Sequence, residues 1–299
     1  MLLSDPRTRG GDGELEGQMR IGRMLVDGRL EFVVGAGEGW LPLSAVGLSY
    51  ADTPELIADI ENVRERVRDA QADPLPAGTD DLRCPVVRPS KMLAIGLNYA
   101  DHARETGSKL PERPLVFAKF PNSLNDPFGE VEIGERVTAK ADYEVELAVI
   151  IGARARQVSE ADAYRHVFGY AVANDVSARD WQRADIQFSR SKSADTFCPI
   201  GPWITTADEV ADPAALWIRS RVNGEPRQDS TTSQMIFGIP HLIAYLSATI
   251  TLEPGDVILT GTPAGVGLGA KPPTFLQPGD VVECEVEGLG MIRNTFVKS

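Results

Sequence analysis

The segment Asp142-Tyr143-Glu144-Val145-Glu146-Leu147-Ala148-Val149-Ile150-Ile151-Gly152 runs from acidic residues at alternate positions into an unbroken apolar stretch that ends at glycine. A short run of this kind reads as a very apolar strand that begins with carboxylates at alternate positions. In a strand, residues two apart share a face. Glu144 and Glu146 would therefore point the same way, with β-carbons about 7 Å apart, while Tyr143, Val145 and Leu147 fill the opposite face. Two buried like charges so placed must take up a proton, find a cation or cost stability. A hard divalent cation bound through carboxylate oxygens resolves the conflict and, for Mg²⁺, leaves coordination positions for water or substrate. The alternative is that both glutamates lie on a solvated face.

From residue 86 onward the pattern is of short β-branched runs separated by Gly, Pro, Asn and Asp: 91–97, 115–120, 144–151, 167–173, 217–222, 257–260 and 281–286. Pro-Gly-Asp-Val occurs at 254–257 and again at 278–281, and reads as reused turn chemistry leading into strands. Before residue 86, Asp27-Gly28 between two apolar runs predicts a tight hairpin. Thr53 is a candidate cap and Pro54 a first residue for a helix carrying Leu56, Ile57, Ile60, Val63 and Val67 on one face. Asp73-Pro74-Leu75-Pro76 interrupts regular structure. These features predict a β-rich α+β chain with its domain boundary between residues 72 and 86. Residues 1–18, rich in Gly and charge, are expected to form a disordered tail, residues 19–80 a small N-terminal domain, and residues 81–299 the larger catalytic domain.

The net charge of −13 and the absence of a basic run argue against nucleic acid as a partner. An acidic protein that binds an acidic ligand needs local compensation from a metal ion or a few placed Lys and Arg. Cys84, Cys198 and Cys284 are odd in number and far apart, which suits a reducing, cytoplasmic setting rather than a disulfide framework. No stretch approaches the roughly 20 apolar residues of a membrane-spanning helix, and the apolar run at the start is too short for a signal peptide.

Asp175 ends a second apolar run, Gly169 to Ala173, and is either a functional group presented at a strand end or a turn residue. Ser177 and Asp180 have the spacing of a capping box for a helix that follows. In Asn98-Tyr99-Ala100-Asp101-His102-Ala103-Arg104-Glu105-Thr106-Gly107, His102 and Glu105 share one face of a short helix closed by Gly107. A carboxylate bonded to imidazole would orient it and raise its basicity as a general base, though the same pair on a polar helix can be a surface ion pair. His166 and His241, without partners nearby in sequence, are assigned structural roles.

Several of these segments, with Phe117-Ala118-Lys119-Phe120, Lys192-Ser193-Ala194-Asp195-Thr196-Phe197-Cys198-Pro199 and Leu259-Thr260-Gly261-Thr262-Pro263, occur in the order found in the fumarylacetoacetate hydrolase family, and the chain resembles its bacterial acylpyruvase and 2-hydroxyhepta-2,4-diene-1,7-dioate isomerase members. The resemblance is dense over 86–299. It implies a mixed β-roll and a metal site of Glu144, Glu146 and Asp175 holding Mg²⁺ or Mn²⁺, with Ca²⁺ as a crystal substitute. It implies His102 and Glu105 as the water-activating pair, Lys192 as support for developing negative charge, and Lys119, Gln182 and Thr262 as substrate contacts. Where larger relatives have a further Asp this chain has Asn98, so three protein ligands are expected. The loop 121–129 also departs from the family pattern.

The resemblance further implies a homodimer and a small keto acid as partner. The first functional expectation is metal-dependent hydrolysis of a carbon–carbon bond in a 2,4-diketo acid through an enolate. The alternatives are a tautomerase, decarboxylase or isomerase acting on oxaloacetate-like or hydroxymuconate-like acids, or an organic-acid binding module without turnover. The glycine-rich stretch Gly261–Gly269 could offer backbone amides to a substrate carboxylate, or could simply make a turn.

Overall fold

The structure is a computed structural model that describes residues 19–299 apart from 77 and 135, so the expected tail over 1–18 lies outside the described residues. Its largest sheet runs in the order Gly39–Pro42, Arg29–Ala36, Arg20–Val26, Cys198–Thr206, Val167–Asn174, Val145–Ile151, Val257–Leu259, Met92–Gly96, Leu115–Lys119. The hairpin predicted at Asp27-Gly28 opens this order, with both turn residues in the left-handed region and Val26 paired to Arg29. Its first strand pairs with Cys198–Thr206 through Arg20–Thr205 and Ile21–Ile204, so residues from the beginning of the chain extend the sheet that carries the later segments.

A second sheet, in the order Glu225–Thr231, Trp217–Val222, Val281–Val286, Gly290–Lys298, Glu130–Ile133, packs against one face of the first. Val145, Leu147, Val149 and Ile151 enter the core between the sheets with Ile218, Val282, Val286, Ile292 and Phe296. The alternate residues Ala148 and Ile150 face the opposite core, with Ala171, Ala173, Ile200, Leu56 and Val63. Every residue of Val145–Ile151 is buried, as the unbroken apolar run requires. The β-rich α+β class read from the sequence is the class observed.

Most predicted strands form, with ends shifted by a residue or two. Both Pro-Gly-Asp-Val turns lead into strands, at Val257 and Val281. Five strands longer than two residues were not predicted: Gly39–Pro42, Glu130–Ile133, Cys198–Thr206, Glu225–Thr231 and Gly290–Lys298. Cys198–Thr206 carries two prolines, which ordinarily argue against a central strand. It is nevertheless fully buried and paired on both sides, and the ladder accommodates the missing donors by a register shift between Tyr170 and Val172.

Two helix-capping expectations are corrected. Asp52, not Thr53, caps the first helix by accepting from Glu55 N at 3.0 Å. Thr53 is instead buried, donating to Pro85 O and accepting from Val87 N. The predicted single helix is two, Thr53–Ala58 and Ile60–Arg68, with Leu56, Ile57, Val63 and Val67 buried. The Ser177–Asp180 capping box does not form, because Ser177 Oγ donates to Asp175 O while Asp180 accepts from Thr138 Oγ1 and Trp181 N. Tertiary partners engage Thr53 and Asp180, while Ser177 turns back to a carbonyl two residues before it.

Where Val167–Asn174 crosses Cys198–Thr206 the backbones approach so closely that a Cβ on Gly169 would lie 2.3 Å from Thr205 O and 2.7 Å from Ile204 Cγ2. No rotamer relieves a clash with backbone. Gly169→Ala is expected to destabilise the fold by about 3 kcal/mol or more, read as a lower denaturant midpoint in urea unfolding.

Candidate metal centre and active site

The start of Val145–Ile151 and the ends of Val167–Asn174, Val257–Leu259 and Met92–Gly96 lie at the same end of the large sheet, given their antiparallel and parallel pairings. At that end Val145 pairs with Asn174, which brings Asp175 opposite Glu144, and Asp175 N donates to Glu144 O at 2.9 Å. Glu144, Glu146 and Asp175 offer carboxylate oxygens that all lie within 4.8 Å of one another, and all three are buried. The convergence read from the alternation of carboxylates is thus present. The chemistry of the set, oxygen donors only, suits a hard divalent cation.

Three basic side chains share this space. Lys192 Nζ donates to Glu144 Oε2 at 2.6 Å and to Asp175 Oδ2 at 2.8 Å, so its ammonium bridges two of the three carboxylates. Arg179 donates through Nη2 to Glu144 Oε1 at 2.5 Å and through Nε to Asp142 Oδ2 at 2.8 Å. Lys119 Nζ donates to Asp175 Oδ1 at 2.7 Å, to Phe197 O at 3.0 Å and to Lys192 O. Four acidic groups, Asp142, Glu144, Glu146 and Asp175, thus face three bases and leave one negative charge in excess.

Among the described residues Glu146 is the member of the four with no basic hydrogen-bond partner, and its side chain accepts from Gly261 N at 2.7 Å. Burial, followed by the charges of Asp175 and Glu144, pushes its carboxyl well above the usual range. For Glu144 burial alone would act the same way, but Lys192 and Arg179 overcome it and bring the carboxyl down to about 2. Lys192 likewise loses to burial but gains more from Asp175 and Glu144, so its ammonium is held above its ordinary value. A cluster in which ionisation of one carboxyl is disfavoured for want of a counter-charge suits an added cation, whose binding would favour the ionised form.

The predicted helix is found at Ala100–Thr106, closed by Gly107 in the left-handed region. His102 Nδ1 meets Glu105 Oε2 at 3.1 Å, with side chains 13% and 20% exposed, so the pair is not a surface ion pair. The helix follows Met92–Gly96, whose end lies at the carboxylate end of the sheet, and Asn98 between them donates to Thr260 O at 2.8 Å. The other oxygen of Glu105 accepts from Gly265 N at 2.9 Å, which ties the helix to the glycine-rich loop. A Cβ on Gly269 would fall 2.5 Å from the Glu105 carboxyl carbon, so the approach depends on a glycine there.

Two substrate-contact expectations are revised by these contacts. Lys119 has no side-chain exposure and commits all three ammonium hydrogens to protein oxygens, so it backs Asp175 rather than reaching a substrate. The loop amides of Gly261, Gly265, Gly267 and Leu268 are given to Glu146, Glu105 and both oxygens of Asp142, not left for a ligand. Gln182 is half-buried beside the cluster, its carbonyl accepting from Arg179 Nη1 at 3.0 Å. Thr262 is 5% exposed and spends its hydrogen on Val145 O at 2.9 Å. His166 meets Ala153 O, and His241 pairs with Glu160 Oε1 at 2.8 Å while stacking on Phe237, both far from this chemistry in role.

The domain model described as Fumarylacetoacetate (FAA) hydrolase C-terminal matches residues 91–297, which spans every group named in the centre. The chain belongs to the fumarylacetoacetate hydrolase family. Among its relatives is the human oxaloacetate tautomerase FAHD2A, mitochondrial, 47% identical over 279 residues that cover 91% of this chain and 88% of the relative. Among solved structures, the fumarylacetoacetate hydrolase of Exiguobacterium antarcticum is 38% identical with a TM-score of 0.82, covering 94% of this chain and all of that one. The maleylpyruvate hydrolase of Sphingobium sp. SYK-6, solved in complex with manganese(II) ion and pyruvate, is 33% identical with a TM-score of 0.77, covering 94% of this chain and 100% of that one. Tautomerase and hydrolase names thus occur together among this family member's relatives.

Reading the residues as a family site left Asp142, Arg179 and Gln228 without a role, although the first two stand inside the recognised segments. Only the distances reveal that Arg179 links Asp142 to Glu144. Gln228 lies on a strand that was not predicted, and no local signal marks it.

Because Asp175 is wholly buried, its counter-charge cannot be supplied by solvent. Lys119→Met, close in size but neutral, is expected to destabilise the protein by about 2–3 kcal/mol, since it removes one of the two ammonium partners of a buried carboxylate and leaves Lys192 to serve both Asp175 and Glu144. Thermal and urea unfolding at neutral pH measure this, and an unchanged midpoint would contradict the structural role.

Proposed function

We propose that this family member is a divalent-metal-assisted enzyme that moves a proton on a 2-keto acid through an enolate, with enol–keto tautomerisation of an oxaloacetate-like acid as its reaction. The observation that carries this reading is the convergence of Glu144, Glu146 and Asp175, with the ammonium of Lys192 set among them. The 47% identity to oxaloacetate tautomerase FAHD2A across nearly the whole chain supports the choice of reaction.

Glu144, Glu146 and Asp175 are the residues that would hold Mg²⁺ or Mn²⁺. When bound, such an ion supplies a Lewis acid that polarises the 2-keto oxygen and lowers the cost of the enolate. Lys192, kept protonated by its carboxylate neighbours, donates a hydrogen bond to the same developing charge, and the proton at the enol oxygen is exchanged with solvent. Glu105 holds Nδ1 of His102, which leaves Nε2 to take the proton from carbon 3 and return it there. Asp142, through Arg179, fixes the orientation of Glu144.

Hydrolysis of a 2,4-diketo acid, the first expectation from the sequence, stands as the second reading. It is favoured by the same His102–Glu105 pair, whose geometry equally suits activation of a water molecule, and by the likeness to maleylpyruvate hydrolase. The two readings separate in one assay series. With Mg²⁺ or Mn²⁺, accelerated enol-to-keto conversion of oxaloacetate without release of pyruvate from acylpyruvates supports tautomerisation. Pyruvate release with no effect on oxaloacetate supports hydrolysis, and failure of both would return the chain to a binding role. In either case a chelator is expected to abolish turnover and the ion to restore it.

His102→Ala is expected to lower kcat by about 10²–10⁴-fold while leaving Mn²⁺ affinity close to that of the wild type. Steady-state kinetics together with electron paramagnetic resonance titration of Mn²⁺ measure the two effects separately. A variant as active as the wild type would remove His102 from the mechanism.

A further inference from the structure

The ladder between Val145–Ile151 and Val257–Leu259 stops short of the carboxylate centre. Its last regular pair is Ala148 with Leu259, and Thr260 N then donates to Leu147 O at 3.2 Å. Alternate residues of a strand turn their backbone groups to opposite neighbours. Those of Glu144 turn toward the strand ending at Asn174, where Glu144 N donates to Asn174 Oδ1 and Glu144 O accepts from Asp175 N. Those of Val145 turn the other way, toward the vacated side of the ladder. Val145 is the one residue between the two glutamates and is wholly buried, so its N–H and C=O need partners that water cannot supply.

Two side chains supply them. Gln228 Oε1 accepts from Val145 N at 3.0 Å, and Thr262 Oγ1 donates to Val145 O at 2.9 Å. Gln228 also binds the second of these groups, donating through Nε2 to Thr262 Oγ1 at 2.7 Å and to Pro263 O at 2.9 Å. Its Oε1 accepts a further bond, from Ser220 Oγ at 2.9 Å in the adjacent strand of the second sheet. One carboxamide, 1% exposed, thereby uses both donors and both acceptor positions. It replaces a missing strand at the residue that sets the spacing of Glu144 and Glu146.

We infer that Gln228 is a positioning residue for the carboxylate centre: by completing the hydrogen bonds of Val145 and holding Thr262 against them, it fixes the separation and direction of Glu144 and Glu146. The inference rests on the reading of Glu144, Glu146 and Asp175 as ligands of a divalent cation. Gln228 touches neither ion nor substrate. Its effect passes through one backbone residue to two side chains at once, which distinguishes it from a group that merely fills the core.

Gln228→Met keeps the volume and removes every polar contact. In the full-length protein, titrated with Mn²⁺ alone and followed by electron paramagnetic resonance, its Kd is expected to rise by about 10- to 100-fold, the usual effect of removing a group that orients metal ligands. Ser220→Ala, which removes the neighbour of Gln228 on the side away from Val145, is expected to lower the melting temperature while leaving the Kd of the wild type in place. Should Gln228→Met not yield folded protein, Gln228→Asn keeps the amide but falls one methylene short, and carries the same expectation.

A folded Gln228→Met with wild-type affinity overturns the positioning role alone. So does a Ser220→Ala variant that weakens Mn²⁺ binding as much, because the effect would then belong to the inter-sheet packing in general. Absence of Mn²⁺ binding in the wild type overturns the ligand reading itself, and the positioning role falls with it.

Discussion

Four carboxylates and three basic side chains are buried together at one end of the large sheet, and their mutual attraction offsets the cost of taking them out of water. None of the pairings is optional. Lys119 satisfies Asp175 from behind, Arg179 couples Asp142 to Glu144, and Lys192 spans Glu144 and Asp175. Glu146 is left with a backbone amide and an excess of negative neighbours. Packing so much charge in the interior is unfavourable for stability alone, and it brings the oxygens of three carboxyl groups within 4.8 Å of one another.

The rest of the fold works to hold that arrangement still. The apolar strand Val145–Ile151 sits between two cores, so the carboxylates at its start cannot swing out into solvent without pulling buried side chains with them. The loop after Leu259 gives its amides to Glu146, Glu105 and Asp142, and so joins the imidazole-bearing helix to the carboxylate cluster through a short stretch of backbone. Fixed dipoles of this sort need no reorganisation when charge develops on a substrate. The second sheet reaches the backbone between two of the carboxylates through Gln228, and its Ser230 donates to Asp101 beside His102.

What the chain announces in its sequence follows from short-range patterns. Alternation placed Glu144 and Glu146 on one face, the i to i+3 spacing joined His102 to Glu105, and the Asp27-Gly28 turn joined two strands, because each is decided by neighbours within a few residues. The misses share another cause. Cys198–Thr206 looked broken by proline until its partners on both sides were known. Thr53 and Asp180 were the right residue types for caps, but each bonds a residue remote in the chain. Lys119 resembled a solvent-facing ligand contact until its three oxygens were located.

The sequence by itself determined the class of fold, the family, and the acidic residues able to hold a cation, since binary pattern and motif order survive without coordinates. Only the tertiary structure decided how the charges are shared. That outcome depends on which strand ends meet, and it turns Lys119 inward, brings Arg179 between Asp142 and Glu144, and puts Gln228, 83 residues from Val145, against its backbone. Distances of a few ångströms between residues remote in the chain set the electrostatics, and no local pattern encodes them.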